Sequence, residues 1–351
     1  MNSLDFSHDE VERSRLYHRP RYLALAVGML LLVGALIGLR FASDDLARLG
    51  WAGAAVVWAA IVVCSQNVVT LPLDLWTGHV RERRWGFSTQ SLGGWLADRG
   101  KALGVSLVLT AAAWLGVVAL ARAVSWWAAP AAVAAAVAVL FLSFVAPVVL
   151  EPIFNRFAPL ADTALAERLH ALADRAGAPV REILVADASR RTTKLNAYVS
   201  GLGASRRVVV WDTLLEAAGD DGVELVVAHE LGHRRLRHVA KLSAAAMLLA
   251  ASYVLVLWAA LGRPGASGLP DAALLAIGFE LVLLPLLNAL SRRYERQADR
   301  FAIQLAGGGT FSQTMRELSR RNLSDLDPPR LAYLLLFSHP TPSERLALVR
   351  P

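Results

Sequence analysis

Long apolar runs alternate with polar segments along this chain. Each run is close to the roughly 20 residues that an α-helix needs to cross the hydrocarbon core of a bilayer. The fourth run is rich in alanine and could also form a buried helix of a soluble protein, but its length without any charge favours a span. We therefore expect six membrane-spanning helices, at residues 22–39, 51–71, 103–121, 127–150, 242–261 and 272–290.

Two polar regions lie outside these runs, at residues 151–241 and 291–351. Only two spans separate them, so both can meet on one side of the membrane. The first region contains an amphipathic helix pattern at 161–177 and a stronger helix pattern at 223–237. It also contains three short runs typical of strands, the last two joined as a hairpin: 183–186, 196–199 and 208–211.

This pattern divides the chain into four segments. The first is an N-terminal membrane region with four spans, and the third holds the remaining two spans. The second and fourth segments are polar and together form one domain. The predicted segments are residues 1–150, 151–241, 242–290 and 291–351.

Arginine and lysine are unevenly distributed among the connections between the spans. Connections rich in them stay on the cytoplasmic side of a membrane. The segment before the first span and the connection between the second and third spans are rich, whereas the other short connections are poor. Both chain termini and both polar regions are therefore predicted to be cytoplasmic. The basic residues of the two rich segments are Arg13, Arg15, Arg19, Arg21, Arg81, Arg83, Arg84, Arg99 and Lys101.

The composition agrees with an integral membrane protein, since 55% of the residues are hydrophobic and the mean hydropathy is +0.44. The net charge of +7 is explained by arginines beside an anionic leaflet, so no nucleic-acid partner is expected. The single cysteine, Cys64, excludes an internal disulfide and a cysteine zinc site. The abundance of alanine and arginine suggests a GC-rich bacterial genome and hence a bacterial cytoplasmic membrane.

The sharpest chemical signal is the sequence His-Glu-Leu-Gly-His at residues 229–233. Positions i and i+4 share one face of a helix, so His229 and His233 can reach the same metal ion. Glu230 is turned about 100° from His229, which puts it near the ion without making it a ligand. There it can accept a proton from water, as the general base of a zinc peptidase does.

A zinc site of this kind needs a third protein ligand. On a continuous helix His238 would be turned about 140° from His233, so we expect it to be a solvated residue beside the membrane. Glu295 is the better candidate, because its helix leaves the sixth span on the side of the His motif. Asp299 lies four residues on and can accept a hydrogen bond from a ligand imidazole. By spacing alone, Glu295 and Asp299 could equally form a charged surface pair with neighbouring arginines.

Further short stretches of the sequence are shared with one known family. They are Leu-Pro at 71–72, Trp-Gly-Phe at 85–87, Pro-Ile-Phe-Asn-Arg-Phe at 152–157, Asn-Ala-Tyr at 196–198, Asp-Thr-Leu-Leu at 212–215, Ser-Arg-Arg-Tyr-Glu at 291–295, Gln-Ala-Asp at 297–299 and Ser-His-Pro at 338–340. With the His motif, the chain resembles the Ste24-type CAAX prenyl proteases, zinc membrane peptidases of the M48 group. The resemblance covers most of the chain.

The resemblance implies roles for individual residues. It implies that Glu295 is the third zinc ligand and that Asp299 supports the site. His339 and Arg345 would approach the metal from the C-terminal segment, where positive charge stabilises an oxyanion. Without the family, His339 would be assigned to a turn and Arg345 to the surface. The resemblance also implies a strand that pairs with the substrate backbone, beginning with Asn196, Ala197 and Tyr198.

The sequence thus predicts a mostly α, polytopic helical membrane bundle with a cytoplasm-facing, zincin-like α+β catalytic domain carrying a small β-sheet. This protein would hydrolyse peptide bonds with one Zn²⁺ per chain, in a peptide or protein substrate that is prenylated or membrane-associated. One alternative is a quality-control protease for membrane proteins. Another is a non-catalytic membrane scaffold or transporter with a structural zinc. Structural zinc sites usually have four protein ligands, and three good candidates are found here.

Two further titratable residues lie outside the predicted zinc site. Glu280 falls within the sixth predicted span, where an acidic residue is costly. It either lines a polar chamber that leads to the metal, or is paired within the bundle or protonated. His79 precedes a run of charged residues, so we expect a solvated cytoplasmic loop there.

Overall fold

The computed structural model describes residues 5–42, 45–200 and 207–350. Within these ranges the chain is mostly helical and contains one small sheet. The helices are α1 (His8–Arg40), α2 (Gly50–Leu75), α3 (Glu82–Arg84), α4 (Leu92–Ala123), α5 (Ala128–Val145), α6 (Glu151–Phe154), α7 (Thr163–Arg175), α8 (Asp212–Ala217), α9 (Asp220–Arg235), α10 (His238–Leu261), α11 (Leu269–Ala306), α12 (Gly308–Arg321), α13 (Arg330–Leu336) and α14 (Pro342–Leu346). The strands are β1 (Phe157–Pro159), β2 (Glu182–Ala186), β3 (Ala197–Ser200) and β4 (Arg207–Trp211).

Six helices of the described residues are long and apolar enough to cross a membrane, which confirms the predicted number of spans. Their apolar side chains face outwards as well as inwards, as in helices surrounded by lipid. The first helix begins at a capping box, in which Ser7 and Glu10 satisfy each other's backbone amides. The six candidate spans are His8–Arg40, Gly50–Arg84, Leu92–Ala123, Ala128–Val145, His238–Leu261 and Ala266–Ala306.

The alanine-rich fourth run forms α5, which packs mainly on α10. Its larger side chains, such as Val133, Val137 and Phe141, are exposed, so it is not the buried helix of a soluble protein. After α5 the backbone continues through a π-helical turn, Ala146–Leu150, into α6. The predicted span at 127–150 is therefore a shorter α-helix followed by a widened turn.

The bundle is most tightly packed at the end remote from the polar regions. Buried side chains there come from the end of α1, the start of α2, the end of α4 and the start of α5. The indole N–H groups of Trp114 and Trp127 donate to the carbonyls of Ala266 and Gly262, at 2.8 and 2.9 Å, across the connection between α10 and α11. These bonds tie the connection to the bundle.

The four strands form one sheet in the order β1-β2-β4-β3. The predicted pairing of the last two strands is confirmed, since β3 and β4 are antiparallel with Ala197 opposite Val210. Their connection, 201–206, lies outside the described residues. β2 runs parallel to β4, and β1, which the sequence analysis did not predict, pairs antiparallel with β2. In this order β3 is an edge strand.

Both polar regions contribute to one hydrophobic core between the sheet and α7, α9, α11 and α12. Leu169, Val210 and Leu231 from the first region and Phe311 and Leu346 from the second are almost completely buried in it. The N-terminal residues Phe6 and Val11 also belong to this core. The chain before the first span therefore packs on the polar domain.

His79 does not lie in a solvated loop, contrary to the sequence-based expectation. It is buried in a π-helical turn, Trp76–Arg81, that continues α2. The ring lies 6.2 Å from that of Trp95 on α4. The charged residues after His79 suggested a loop, but helix packing buries this turn.

Candidate active site

Helices α9 and α11 place three metal-binding side chains next to one another. His229 and His233 lie one turn apart on α9, and Glu295 faces them from α11. The Nε2 atoms of His229 and His233 are 3.1 Å apart. Oε2 of Glu295 lies 3.2 Å from Nε2 of His229, and Oε1 lies 3.2 Å from Nε2 of His233. The three residues that the sequence analysis selected are therefore together in space.

Gly232 allows α9 and α11 to approach this closely. A Cβ atom at this position would lie 3.2 Å from Cα of Ala298 and 3.1 Å from the ring of Phe301. Contacts with backbone atoms at such distances cannot relax by side-chain rotation. A larger residue would therefore separate the two helices and move Glu295 away from the imidazoles.

The three side chains fit a single zinc ion. Nitrogen and oxygen ligands lie about 2.0–2.1 Å from Zn²⁺, which puts two ligands of a tetrahedral site about 3.3–3.4 Å apart. The separations of 3.1–3.2 Å are close to this value. Oε2 of Glu295 is buried without a hydrogen-bond partner among the described residues, which is costly unless a cation binds there. Three protein donors leave one tetrahedral position open.

Asp299 and Arg345 hold the ring of His229 from its Nδ1 side. Nδ1 of His229 lies 2.9 Å from Oδ1 of the buried Asp299. Arg345 donates to both carboxylate oxygens of Asp299, from Nε at 2.8 Å and from a terminal nitrogen. Burial disfavours the charged imidazolium, but the hydrogen bond with Asp299 and the nearby carboxylate of Glu295 outweigh it and raise the pKa of His229 to about 9. This arrangement directs Nε2 towards Glu295.

His238 holds the ring of His233 in a similar way, and the expectation that it is solvated is wrong. It is completely buried. Its Nδ1 lies 3.2 Å from Nδ1 of His233, and its Nε2 lies 2.9 Å from Oε1 of Gln297. Its ring stacks on Tyr294 at a centroid distance of 4.4 Å. These distances fit one assignment of protons: Nδ1–H of His233 donates to Nδ1 of His238, and Nε2–H of His238 donates to Oε1 of Gln297.

The expectation for His238 assumed one continuous helix from residue 223 to residue 238, but α9 ends at Arg235 and α10 begins at His238. Arg237 has a φ of +57°, so the chain turns between α9 and α10. The angular argument that separated His238 from His233 does not hold across such a turn. The positive charge of Arg234 and Arg235 near the end of α9 is typical of a helix C-terminus and was the available sequence signal.

Glu230 lies between the His pair and the edge strand. Burial raises the pKa of its carboxyl group, against the lowering effect of the imidazoles and of a hydrogen bond with the backbone of Val199. Glu230 and His229 both line a cavity of about 430 Å³, together with Asn196, His339 and Arg345. The carboxyl group is thus next to the open side of the three donor atoms.

The register of β3 determines which backbone groups remain available at the edge of the sheet. Trp211 N–H donates to the carbonyl of Asn196, so Asn196 and Tyr198 exchange hydrogen bonds with β4. The N–H and C=O groups of Ala197 and Val199 consequently point away from β4, and the N–H of Val199 is the group that bonds to Glu230. The side chain of Tyr198 donates to Glu151 at 3.1 Å, so it is directed away from the His pair.

The C-terminal segment closes the site from the remaining side. Nε2 of His339 lies 3.4 Å from Oε1 of Glu295, and its Nδ1 lies 2.9 Å from Oγ of Ser338. Arg345 is directed towards Asp299 instead, with one terminal nitrogen 3.4 Å from Nδ1 of His229. His339 and Arg345 therefore contact different residues of the site.

Glu280 lies in α11 with an exposed side chain, and no ion pair involves it among the described residues. Among the described residues it therefore does not pair within the bundle, and a place in a polar chamber stays a prediction.

Comparisons with known proteins agree with this arrangement. Residues 159–350 match peptidase family M48, and residues 13–156 match the family described as "CAAX prenyl protease N-terminal, five membrane helices". The chain is 32% identical to the metalloprotease YhfN of Bacillus subtilis (strain 168) over 300 residues, which cover 80% of this chain and 69% of that protein. It is 30% identical to a CAAX prenyl protease 1 homolog of Arabidopsis thaliana, with coverages of 83% and 72%.

The fold also has a close counterpart among solved structures. The crystal structure of S. mikatae Ste24p is similar with a TM-score of 0.82, covering 99% of this chain and 90% of that one at 23% sequence identity. The enzymatic families argue against a non-catalytic scaffold or transporter. The His motif, the carboxylate donor on α11 and the six membrane helices thus have one common explanation. The chain belongs to peptidase family M48, as a multi-pass membrane metalloprotease of the Ste24 type.

Proposed function

We propose that the chain is a zinc-dependent endopeptidase in which His229, His233 and Glu295 bind one Zn²⁺. The observation that supports this proposal is the mutual spacing of the three donor atoms, 3.1–3.2 Å, beside the carboxyl group of Glu230. Zinc bound there would polarise the scissile carbonyl and make water acidic enough to attack near neutral pH.

Glu230 is the proposed general base and general acid. It removes a proton from the attacking water as the water oxygen bonds to the carbonyl carbon. When the C–N bond breaks, Glu230 returns that proton to the leaving amine, so the products are a carboxylic acid and an amine. The position of Glu230 between the His pair and β3 puts it within reach of both groups.

His339 and Arg345 complete the proposed site. His339 is close enough to Glu295, at 3.4 Å, to donate a hydrogen bond to an oxyanion that forms on this side. Arg345 contributes positive charge next to the site while it holds Asp299. Asp299 is the proposed support of the His229 ring.

The substrate is proposed to bind as an additional strand along β3. The outward N–H and C=O groups of Ala197 and the C=O group of Val199 would provide main-chain hydrogen bonds that do not depend on the substrate's sequence, since the N–H of Val199 bonds to Glu230. The side chain of Asn196 borders the same cavity and can contact the peptide near the scissile bond.

The substitution Glu230→Gln tests the assignment of the base. The purified variant should retain one zinc per chain and lose peptide hydrolysis, whereas Glu295→Gln should lose zinc as well. The matched control Glu224→Gln changes an exposed ion pair six residues earlier on α9 and should retain both properties. Full proteolysis by the Glu230→Gln variant would exclude the mechanism.

The substrate is proposed to be a prenylated or otherwise membrane-associated peptide. Several relatives are named CAAX prenyl proteases, and the active site belongs to a protein with six membrane helices. Cleavage of a farnesylated C-terminal peptide should be compared with cleavage of the same peptide without the lipid. Equal cleavage of both, together with cleavage of unfolded membrane proteins, would instead favour a quality-control protease.

The active site is proposed to face the cytoplasm of a bacterial cell. The basic residues near the catalytic side of the spans support this orientation. In a Cys64→Ala background, a cysteine introduced at Gly265, between α10 and α11, should react with a membrane-impermeant maleimide in intact cells. A cysteine at Asp221 on α9 should react only after permeabilisation. The reverse pattern would overturn the orientation.

A further inference from the structure

One short helix carries three exposed large apolar side chains of the catalytic domain. Among the described residues of the two polar regions, Ile153 and Val239 are exposed next to the spans, and the other exposed large hydrophobic residues are Leu331, Leu334 and Leu336, with exposed fractions of 68%, 47% and 47%. All three belong to α13. Leu331 and Leu334 are three residues apart and therefore share one face of the helix. Clustered exposure of this kind marks a contact surface rather than chance.

Two buried residues of α11 hold α13 at a defined level. Nδ2 of Asn288 donates to the carbonyl of Leu335 at 2.8 Å, and Arg292 donates to the carbonyl of Phe337 at 2.6 Å. These bonds satisfy carbonyl groups at the C-terminal end of α13 that have no partner within the helix. The guanidinium of Arg292 also lies over the ring of Tyr333, 4.5 Å from its centroid.

That level corresponds to the membrane surface. The apolar run of α11 ends near residue 290, and Asn288 and Arg292 lie on either side of this point. Since both contact the end of α13, the short helix lies beside the boundary between hydrocarbon and headgroups. Arg293, which follows Arg292, and Arg330, the first residue of α13, are exposed and can face anionic headgroups.

We propose that α13 is an interfacial helix whose Leu331 and Leu334 side chains lie in the leaflet adjoining the catalytic domain. The chosen occupant of this surface is lipid, because the helix is anchored to a membrane span at the interface and combines apolar with basic residues. The alternative occupants are a second copy of the chain and an apolar segment of the substrate.

The contact has a consequence for the active site. Only Phe337 and Ser338 separate α13 from His339, whose Nε2 lies 3.4 Å from Oε1 of Glu295. Leu336 also borders the cavity beside Glu230. The bilayer therefore helps to position the segment that carries His339. This consequence depends on the proposed function, whereas the lipid contact itself does not.

The depth of α13 can be measured with a fluorescent label. The environment-sensitive dye NBD is attached to a cysteine at Leu331 or at Leu334, in a Cys64→Ala background that retains the full chain. The protein is reconstituted in vesicles of phosphatidylcholine and phosphatidylglycerol, with or without a lipid that carries a nitroxide near the top of its acyl chain. We expect both labels to lose fluorescence in the nitroxide vesicles.

Two reference positions calibrate the measurement. Val282 on α11 is exposed within a span and should be quenched by a nitroxide placed deep in the acyl chain. Asp221 is exposed at the start of α9. This helix has 16 residues and is about 24 Å long, and its other end leads to the span α10. A label at Asp221 should therefore not be quenched. Labels at 331 and 334 that behave like the label at Asp221 would overturn the proposal.

The alternative occupants give different results. Quenching that appears only as the ratio of protein to lipid is lowered would show that a second copy covers the leucines. Labels that stay unquenched and whose NBD emission shifts to the blue when peptide is added would show a substrate surface. Either result would overturn the proposal. The same labels should be quenched to the same extent in a Glu230→Gln background as in the parent protein. The lipid contact of α13 can therefore be tested even if peptide hydrolysis is never observed.

Discussion

Nδ1 of His238 lies 3.2 Å from Nδ1 of His233, although a turn with positive φ separates the two residues. The opposite nitrogen of His238 lies 2.9 Å from Oε1 of Gln297 on α11. The ring of His233 is thus oriented by a histidine and an amide, whereas the ring of His229 is oriented by a carboxylate. The two ligand imidazoles are therefore oriented by different hydrogen-bond partners.

Replacement of His238 by alanine should weaken zinc binding. Removing an outer partner of a ligand histidine typically lowers metal affinity by about 10–100-fold, because the ring loses its fixed orientation and tautomer. The measurement is competition with a chelator of known affinity, and the matched control is His170→Ala on the surface of α7. A zinc affinity equal to that of the control would contradict the role of His238.

Asp299 and Arg345 should be strongly coupled in stability. Asp299 is fully buried, so Arg345→Gln leaves its carboxylate with His229 as its remaining partner and should cost about 1–3 kcal/mol of unfolding free energy. The double variant Asp299→Asn with Arg345→Gln should lose less than the sum of the single losses, with a coupling of about 0.5–3 kcal/mol. Thermal unfolding of the metal-free proteins provides the measurement, and additive losses would refute the pairing.

Zinc binding should strengthen as the pH rises from 7 to about 9. With its pKa raised to about 9, His229 is protonated at pH 7 in the metal-free protein and must release that proton when zinc binds. The affinity should therefore increase by about tenfold per pH unit and level off above the pKa.

Calorimetric titration in buffers of different ionisation enthalpy measures this proton release. In the Asp299→Asn variant the hydrogen bond that raises the pKa of His229 is weakened, so the affinity should level off at a lower pH. A zinc affinity that does not change between pH 7 and 9 would show that His229 is already neutral.

Proline at position 197 should impair substrate binding more than folding. The N–H of Ala197 points away from β4, so Ala197→Pro removes the donor proposed for the substrate without removing a bond to β4. Tyr198→Pro, the matched control, removes a donor that pairs with β4 and should lower the melting temperature more. The expected result for Ala197→Pro is a lower kcat/KM with zinc content retained, and unchanged kinetics would argue against strand addition.

Local spacing explains why much of the architecture was predictable. The spans follow from apolar runs whose lengths match the hydrocarbon core of a bilayer, and the lipids rather than the fold of the chain set that thickness. His229 and His233 share a face because the helical period is fixed. The strands β2, β3 and β4 were likewise predicted within a residue or two, since their sequences are short and rich in β-branched residues.

Long-range packing decided the remainder. The sequence alone indicated the His motif, whose two imidazoles are brought together by one helix, and the six spans. It left open whether Glu295 and Asp299 belong to the site or to the surface, because they lie on another helix about 60 residues away. Only the crossing of α9 and α11 at Gly232, the turn at Arg237 and the return of the C-terminal segment bring Glu295, His238 and Arg345 to the His pair. Such contacts depend on how helices pack in three dimensions, and no local period in the sequence encodes them.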